Sequence, residues 1–190
     1  MNKLPAEVCE YLLNLVRWEI RAKLGVKNAG GTFDVPEHDT LHRPAGCFVS
    51  LHSRQQHALR GCIGRMAANQ PLVEVVGLMA RSVLADPRFE DRPVSADELA
   101  DLEIEISVLG PLRLLDGPDG FDPLNEGIYM TLNQRRGCFL PQVARETGWT
   151  RQQLLERLCS EKLELPANAW RDPQARFEAF PVEIIGPEPF

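Results

Sequence analysis

A single cysteine stands between two glycines in the stretch Leu59-Arg60-Gly61-Cys62-Ile63-Gly64. Because glycine has no side chain, a ligand or another chain segment can approach the backbone on either side of this cysteine. Side chains alternate along a strand, so we expect Arg60, Cys62 and Gly64 on one face. A fixed cation beside a thiol favours the thiolate, which attacks electrophiles and binds metals. The alternative is that Cys62 is a small apolar core residue and that the glycines mark a bulge.

Two carboxylates follow in the alternating stretch from Leu102 to Val108. If this stretch lies beside the cysteine strand, Glu103 and Glu105 share a face with Arg60 and Cys62. A thiolate with neighbouring carboxylates would suit acyl or group transfer, with the carboxylates moving protons. The alternative is an arginine paired with glutamates on a solvated sheet face, an interaction that contributes about 0–1 kcal/mol.

Two arginine positions could bind anions. Arg88 follows Asp86 and Pro87 at a predicted helix end, and its guanidinium could hold a carboxylate or phosphate through paired hydrogen bonds. We favour a structural role for Asp86, Pro87 and Phe89 and leave both interpretations of Arg88 open. The adjacent Arg135-Arg136 could form a second clamp, although two arginines in a hairpin turn more often form a solvated tip.

Composition and charge limit the classes of function. The 190 residues are 44% hydrophobic and 25% charged, as in ordinary soluble globular proteins. The net charge of -6 argues against a general nucleic-acid-binding protein, because such proteins carry basic surfaces. Five cysteines without CxxC or CxxxCxxC spacing predict free thiols in a reducing cytoplasm. No apolar run approaches the roughly 18 residues of a membrane span, and a charged amino terminus disfavours a signal peptide.

Metal and nucleotide sites have little support in the sequence. His38 and His42 are spaced like neighbours on a helix but lie in a loop-like segment, and His52 and His57 flank a predicted turn. The stretch Asp116–Asp122 lacks the spacing and terminal glutamate of an EF-hand. The motifs GxxxxGK[ST], GxGxxG and GxSxG are absent. We predict no cofactor and no metal site.

Helices and strands are predicted in alternation along the chain. Helices are expected from Pro5 to Leu24, from an Asn69 cap to Asp86, and after capping boxes at Ser95 and Thr150; strands are expected over 47–52, 58–64, 102–108, 128–132, 137–140 and 177–185. The polar segment from Asn28 to Pro44 is predicted to be a surface loop, or a mobile lid. Short turns between neighbouring strands favour antiparallel pairing. We therefore predict an α+β protein with a mainly antiparallel sheet and flanking helices.

The order of these segments resembles the AMMECR family, also called AmmeMemoRadiSam system protein A in bacteria and archaea. The matching segments, in chain order, are Gly46–Leu51, Leu59–Gly64, Asp86–Phe89, Leu102–Leu109, Arg136–Val143, Gly148-Trp149 and Ala169-Trp170. The block Leu59–Gly64 is the family's hallmark. The chain departs from the family at Ser50, where threonine is common, and in the turn Gln55-Gln56-His57, where a glycine is usual.

The resemblance implies two unequal lobes around a cleft lined by Leu59–Gly64, within a single domain over residues 1–190. It implies no established reaction. Family members resemble proteins that are encoded or fused with a Memo-like protein and a radical-SAM enzyme, so both become possible partners.

Two functions of different classes remain open. The first is an accessory protein that presents a small anionic ligand or a partner peptide, with Arg60, Gly61, Gly64 and Arg88 as binding residues. We favour this function because the chain shows no complete catalytic set and a fold alone does not confer a reaction.

The alternative is a cysteine-dependent enzyme of group transfer or hydrolysis. Cys62 would be its nucleophile, Arg60 would favour the thiolate, and Glu103 or Glu105 would act as acid and base. A third role, in nucleic-acid modification, fits the family context but conflicts with the acidic charge.

Overall fold

The computed structural model describes residues 3–26, 35–56, 58–66 and 69–190. Two compact units are distinguished along the chain: Asn2–Leu109 together with Glu183–Phe190, and Gly110–Val182. His57 and the first part of the predicted loop, residues 28–34, lie outside the described residues. Each unit is described separately below, the first as the cysteine unit and the second as the hairpin unit.

Among its described residues the cysteine unit contains three whole strands, three α-helices and three short 3-10 helices, together with the end of the last strand of the chain. In chain order the whole elements are α1 (Ala6–Lys23), α2 (Asp39–His42), β1 (Cys47–Ser53), β2 (Leu59–Arg65), α3 (Leu72–Ser82), the 3-10 helices Val83–Ala85, Pro87–Phe89 and Ala96–Asp101, and β3 (Leu102–Leu109).

Helix α1 follows from the apolar spacing of its sequence. Val8, Leu12, Val16 and Ile20 recur every four residues, and each is completely buried. The helix ends before Gly25, whose φ of +69° is one that residues with side chains rarely adopt. The predicted helix is therefore confirmed.

The start of helix α3 differs from the prediction. Its N-cap residue is Pro71, and no side chain caps the helix, so the predicted cap at Asn69 is wrong. Proline before the first turn suffices because its fixed φ already suits the helix start. The helix also ends earlier than predicted, at Ser82, and a 3-10 turn, Val83–Ala85, continues the chain to Asp86.

The sheet of the cysteine unit has the order β2, β1, β3, and the end of the last strand lies beside β3. The pairings of β1 with β2 and with β3 are antiparallel. One face of the sheet is apolar, with Val49, Leu51, Ile104 and Ile106 completely buried in one core with residues of α1 and α3. The opposite face therefore holds the polar residues of the alternating strands.

The hairpin unit contains four strands and two α-helices among its described residues. In chain order these are β4 (Arg113–Leu114), β5 (Glu126–Leu132), β6 (Arg135–Phe139), α4 (Pro141–Thr147), α5 (Arg151–Arg157), a π-helix Leu158–Lys162, a 3-10 helix Ala167–Arg171 and β7 (Arg176–Pro189), whose residues from Glu183 belong to the cysteine unit. Strand β7 pairs antiparallel with β5 and β4, and β5 pairs antiparallel with β6. Ile128, Met130 and Phe177 are buried in its core.

The β5–β6 hairpin turns more tightly than predicted. Only Asn133 and Gln134 form the turn, with φ of 50° and 66°, while Arg135 and Arg136 belong to β6. Positive φ at both central residues is typical of the tight turns that suit the twist of a hairpin. Strand alternation then sends the two arginines to opposite faces, so they do not form the predicted tip.

Both units combine helices with antiparallel strands, so the α+β prediction is confirmed.

Candidate functional site

Strand β2, which contains Cys62, is the edge strand of this sheet, and it is not a neighbour of β3, which contains Glu103 and Glu105. Strand β2 pairs with β1, and β1 pairs with β3 on its other side. The expected pairing of β2 with β3 is therefore wrong, because β1 lies between these two strands. Neighbouring strands are about 4.8 Å apart, so residues of β2 and β3 that face the same way are about 10 Å apart.

The register nevertheless aligns three polar side chains across the sheet. Ser50 is directly opposite Cys62 on one side and directly opposite Glu105 on the other. Directly opposed residues share a face, and this face is opposite the apolar core. Ser50 is buried, while Cys62 and Glu105 are half-buried. We call Cys62, Ser50 and Glu105 together the Cys62 row.

The register also moves Arg60 away from the position that alternation predicts. Gly61 is opposite Leu51 and Leu59 is opposite His52, so Arg60 is the extra residue of a bulge. By register, the next position beside Cys62 on the polar face is therefore occupied by Leu59 and not by Arg60. The expected arrangement of Arg60 beside Cys62 on regular alternating positions is therefore wrong.

The guanidinium of Arg60 is instead paired within the chain. Its Nε and Nη2 donate to the two carboxylate oxygens of Glu98 at 2.5 and 3.1 Å, and Nη2 also donates to the carbonyl of Arg92. The hydrogen bond from Arg60 lowers the pKa of Glu98 below its usual range. Arg60 also lies over the ring of Phe89 at 5.9 Å. These contacts give Arg60 an observed role in joining β2 to the 3-10 helix Ala96–Asp101.

Asp86 and Arg88 hold the outer edge of β2 at Cys62. The backbone N–H of Cys62 donates to Asp86 Oδ2 at 2.9 Å, and Arg88 Nη2 donates to the Cys62 carbonyl at 3.0 Å. Arg88 Nη2 also donates to Asp86 Oδ2 at 2.6 Å. The two side chains satisfy the groups that a further strand would otherwise pair with. The favoured structural interpretation of Asp86 fits these contacts.

The charges of this pair are matched. Burial alone would raise the pKa of Asp86, but hydrogen bonds from Arg88 and from the backbone of Cys62 outweigh burial and lower it. The hydrogen bond with Asp86 raises the pKa of Arg88. Arg88, and not Arg60, is thus the arginine whose guanidinium contacts Cys62, through the backbone carbonyl.

The two hallmark glycines are approached closely by other parts of the same chain. A Cβ on Gly61 would lie 2.8 Å from the carbonyl oxygen of Val83, and a Cβ on Gly64 would overlap the ring of Phe48. Both glycines therefore have a packing role. Their predicted role in binding a ligand stays a prediction.

Glu103 lies on the same sheet face as the Cys62 row, two residues before Glu105 on β3. It is opposite His52 in the sheet, and its carboxylate is 3.9 Å from Arg54 Nε. The lining of a surface pocket of about 590 Å³ includes Glu103, Arg54, Asp97 and Asp101. Both predicted acid/base residues therefore share the face of Cys62, with Glu105 in the Cys62 row and Glu103 beside Arg54.

No group of three or more histidine, cysteine or acidic side chains that could hold a metal ion occurs within residues 3–26, 35–56, 58–66 and 69–190. In this part of the chain, His38 caps the short helix α2 by accepting the N–H of Thr40. Of the helices that the structure describes, none is long and apolar enough to cross a membrane.

Two functional candidates have weak signals in the sequence. Asp86 precedes a proline, a common place for a turn-bonding carboxylate, and Glu98 ends a predicted capping box. Their bonds to Cys62 and Arg60 join residues 24 and 38 positions apart, so no local pattern could indicate them. Ser50 has no signal in the sequence beyond its departure from the family pattern.

Comparison with known proteins places the chain in a family. The AMMECR1 family model matches residues 13–185. A protein of Thermococcus onnurineus is 34% identical, over 99% of this chain and 94% of its own length, and Protein TK0174 of Thermococcus kodakarensis gives the same values. The crystal structure of the uncharacterized protein PH0010 from Pyrococcus horikoshii is 32% identical, with a TM-score of 0.78 over 92% of this chain and 90% of that one. The chain therefore belongs to the AMMECR1 family, whose function is not established.

Proposed function

We propose that this chain is a ligand-binding accessory protein that acts with Memo-like and radical-SAM proteins, and that the Cys62 row holds the ligand. The observation that supports this most is the direct opposition of Cys62, Ser50 and Glu105 across three strands. A thiol, a hydroxyl and a carboxylate are thereby spaced along about 10 Å of a sheet face. Such a row suits several weak polar contacts with one small molecule.

The charges around Cys62 support a neutral or cationic ligand in preference to the small anionic ligand that the sequence suggested. Arg60 is paired with Glu98, and Arg88 is paired with Asp86. Each cation is thus neutralised by a carboxylate, and Glu105 adds a further negative group to the row. An anion bound there would have to compete with these pairs.

The second candidate function is that of a cysteine-dependent enzyme, and the position of the Arg88 guanidinium, which donates to the Cys62 carbonyl at 3.0 Å, favours it. A general base must lie within about 3 Å of the proton that it removes, or reach it through one water molecule. Glu105 is two strands away from Cys62, at about 10 Å. This spacing suits a bound molecule between them better than direct proton transfer, so we rank the enzyme second.

The partners in this proposal rest on the family resemblance alone. A ligand-holding protein would be expected to deliver or position its ligand for proteins encoded beside it. Cys62→Ala should therefore weaken binding of the ligand, and any ligand-dependent binding to a Memo-like or radical-SAM partner should weaken with it.

The test of ligand binding compares matched variants by equilibrium dialysis against a metabolite extract, with retained compounds identified by mass spectrometry. The wild-type chain should retain a compound that Cys62→Ala and Glu105→Gln lose. Cys9→Ala is the matched control, because Cys9 is another half-buried cysteine of the same unit. Equal retention by the wild-type chain and by Cys62→Ala would contradict the proposal.

The test of the enzyme uses iodoacetamide at pH 7, with each cysteine followed by peptide mass spectrometry. The accessory function predicts similar alkylation rates at the half-buried Cys62 and Cys138, and a slower rate at Cys9, because burial raises the pKa of the Cys9 thiol. A rate at Cys62 more than about tenfold above that at Cys138 would favour the nucleophile, since thiolate content governs the rate.

A further inference from the structure

In the sheet of the hairpin unit, one threonine has an arginine directly opposite it on each neighbouring strand. Thr131 on β5 is directly opposite Arg136 of β6 and directly opposite Arg176 of β7. Residues that are directly opposite share a face, so all three lie on the face away from the core that contains Ile128 and Met130. Both arginines are exposed and Thr131 is half-buried.

The arginine next to Arg136 in sequence does not join this face. Arg135 Nη1 donates to the carbonyl of Leu163 at 2.6 Å and to the carboxylate of Glu164 at 3.1 Å. Strand alternation therefore puts Arg135 and Arg136 on opposite faces, and the second arginine on the face of Arg136 is Arg176, which is distant in sequence.

The two arginines of this face have no carboxylate partner in the described part of the chain. Other arginines of the hairpin unit, such as Arg113, Arg151 and Arg157, each form an ion pair, whereas no ion pair with Arg136 or Arg176 occurs among the described residues. One carboxylate, Glu178, lies on the same face, two residues from Arg176 on β7, without forming an ion pair with it in the described part of the chain.

A pocket opens beside Arg176 on this unit. It has a volume of about 580 Å³, and its lining includes Thr131, Asn133, Gln174 and Arg176. The lining therefore offers a hydroxyl, two amides and a guanidinium as hydrogen-bond donors. The volume is within the roughly 300–1,000 Å³ range of small-molecule sites.

We propose that Arg136, Thr131 and Arg176 form a site for the phosphoryl group of a small molecule, with the remainder of that molecule in the adjacent pocket. The two arginines are about 10 Å apart at the backbone, a distance that their long side chains can close from both sides. Guanidinium forks match phosphate oxygens, and two cations match the charge of about -1.5 to -2 on a phosphate monoester at pH 7. This site is independent of the Cys62 row, and either could exist without the other.

The test measures the binding of phenyl phosphate and of inorganic phosphate by ³¹P NMR titration at constant ionic strength. Arg136→Gln and Arg176→Gln should each raise Kd about tenfold, because each removes a charge-assisted contact. Arg157→Gln is the matched control: it removes one exposed charge from the same unit, at a residue paired with Glu161, and should change Kd less than twofold. Circular dichroism confirms folding of each variant.

Two further comparisons decide the ligand class. Affinity should rise between pH 5 and 7.5, as the monoester gains its second negative charge, and acetate should compete poorly because it has one charge. Equal weakening by Arg157→Gln, or equal binding of acetate and phosphate, would overturn the proposal. A Kd for phosphate that is the same in Arg136→Gln and Arg176→Gln as in the wild-type chain would overturn it as well.

Discussion

The carboxylate of Asp86 accepts the backbone N–H of Cys62 at 2.9 Å, although the two residues are 24 positions apart in sequence. Arg88 completes the arrangement by donating to the Cys62 carbonyl at 3.0 Å. The backbone N–H and C=O of Cys62, at the outer edge of β2, are thus both hydrogen-bonded by side chains. These hydrogen bonds fix the backbone from which the Cys62 row projects.

Asp86→Asn should lower the free energy of unfolding by about 2 kcal/mol at pH 7, because the buried carboxylate loses charge-assisted hydrogen bonds. Urea denaturation measures the change. Asp91→Asn is the control, since Asp91 is exposed, and it should alter stability by less than about 0.5 kcal/mol. Equal stability of the two variants would show that the contacts at Cys62 contribute little.

The same pair should give a dependence on acidic pH. Because the folded-state pKa of Asp86 lies below its ordinary value of 3.8, its contribution is fully present above that value. It is lost as the pH falls through the lower folded-state pKa. The difference in stability between the wild-type chain and Asp86→Asn should therefore shrink from pH 5 to pH 2, as measured by urea denaturation. A constant difference would contradict the assignment.

Gly61→Ala should destabilise the chain by about 1–3 kcal/mol, because the new Cβ would lie 2.8 Å from a backbone oxygen that cannot rotate away. Gly117→Ala is the matched control, since a Cβ at that position would meet no other part of the chain within 4 Å. Thermal unfolding of both variants measures the difference. An unchanged melting temperature for Gly61→Ala would rule out the close approach of Val83.

Gly64→Ala should also destabilise the chain, but through a side chain that can be changed. The ring of Phe48 occupies the space of the new Cβ. In a double-mutant cycle, Phe48→Leu should therefore relieve part of the cost of Gly64→Ala, by about 1 kcal/mol. Strictly additive effects in urea denaturation would mean that the ring and the glycine do not interact.

The free energy of unfolding should fall at alkaline pH because of Cys47. Burial raises the pKa of this thiol from 9.0 to about 12. The unfolded chain loses the proton first, so stability is fully present below pH 9 and declines by about 1.4 kcal/mol per pH unit between 9 and 12. Cys47→Val should show a shallower decline in urea denaturation over this range, and the same slope in both proteins would contradict the burial effect.

Gln134→Gly should stabilise the hairpin unit by about 0.5–1 kcal/mol, because glycine adopts the observed φ of 66° without steric cost. Gln55→Gly is the control, since Gln55 is itself a turn residue without a positive φ, and it should give no stabilisation. Differential scanning calorimetry compares the two. A loss of stability in Gln134→Gly would show that its side chain contributes more than its backbone costs.

Local patterns in the sequence determined most of the secondary structure. The four-residue spacing of Val8, Leu12, Val16 and Ile20 predicted α1, and strict alternation predicted β3, because burial of one face imposes the period of the element. The capping boxes at Ser95 and Thr150 marked two helix starts correctly, since their hydrogen bonds span only three residues. The hallmark block and the order of the segments around it indicated the AMMECR family, which the family model confirms.

Only the tertiary structure decided which side chains meet. The sequence could not place β1 between β2 and β3, and it could not reveal the bulge that turns Arg60 toward Glu98. It also paired Arg136 with its neighbour Arg135, whereas the sheet pairs it across Thr131 with Arg176. Strand order and register depend on contacts between residues far apart in sequence, and a shift of one residue exchanges the two faces of a strand. The elements could therefore be predicted from the chain, while the composition of each candidate site required the fold.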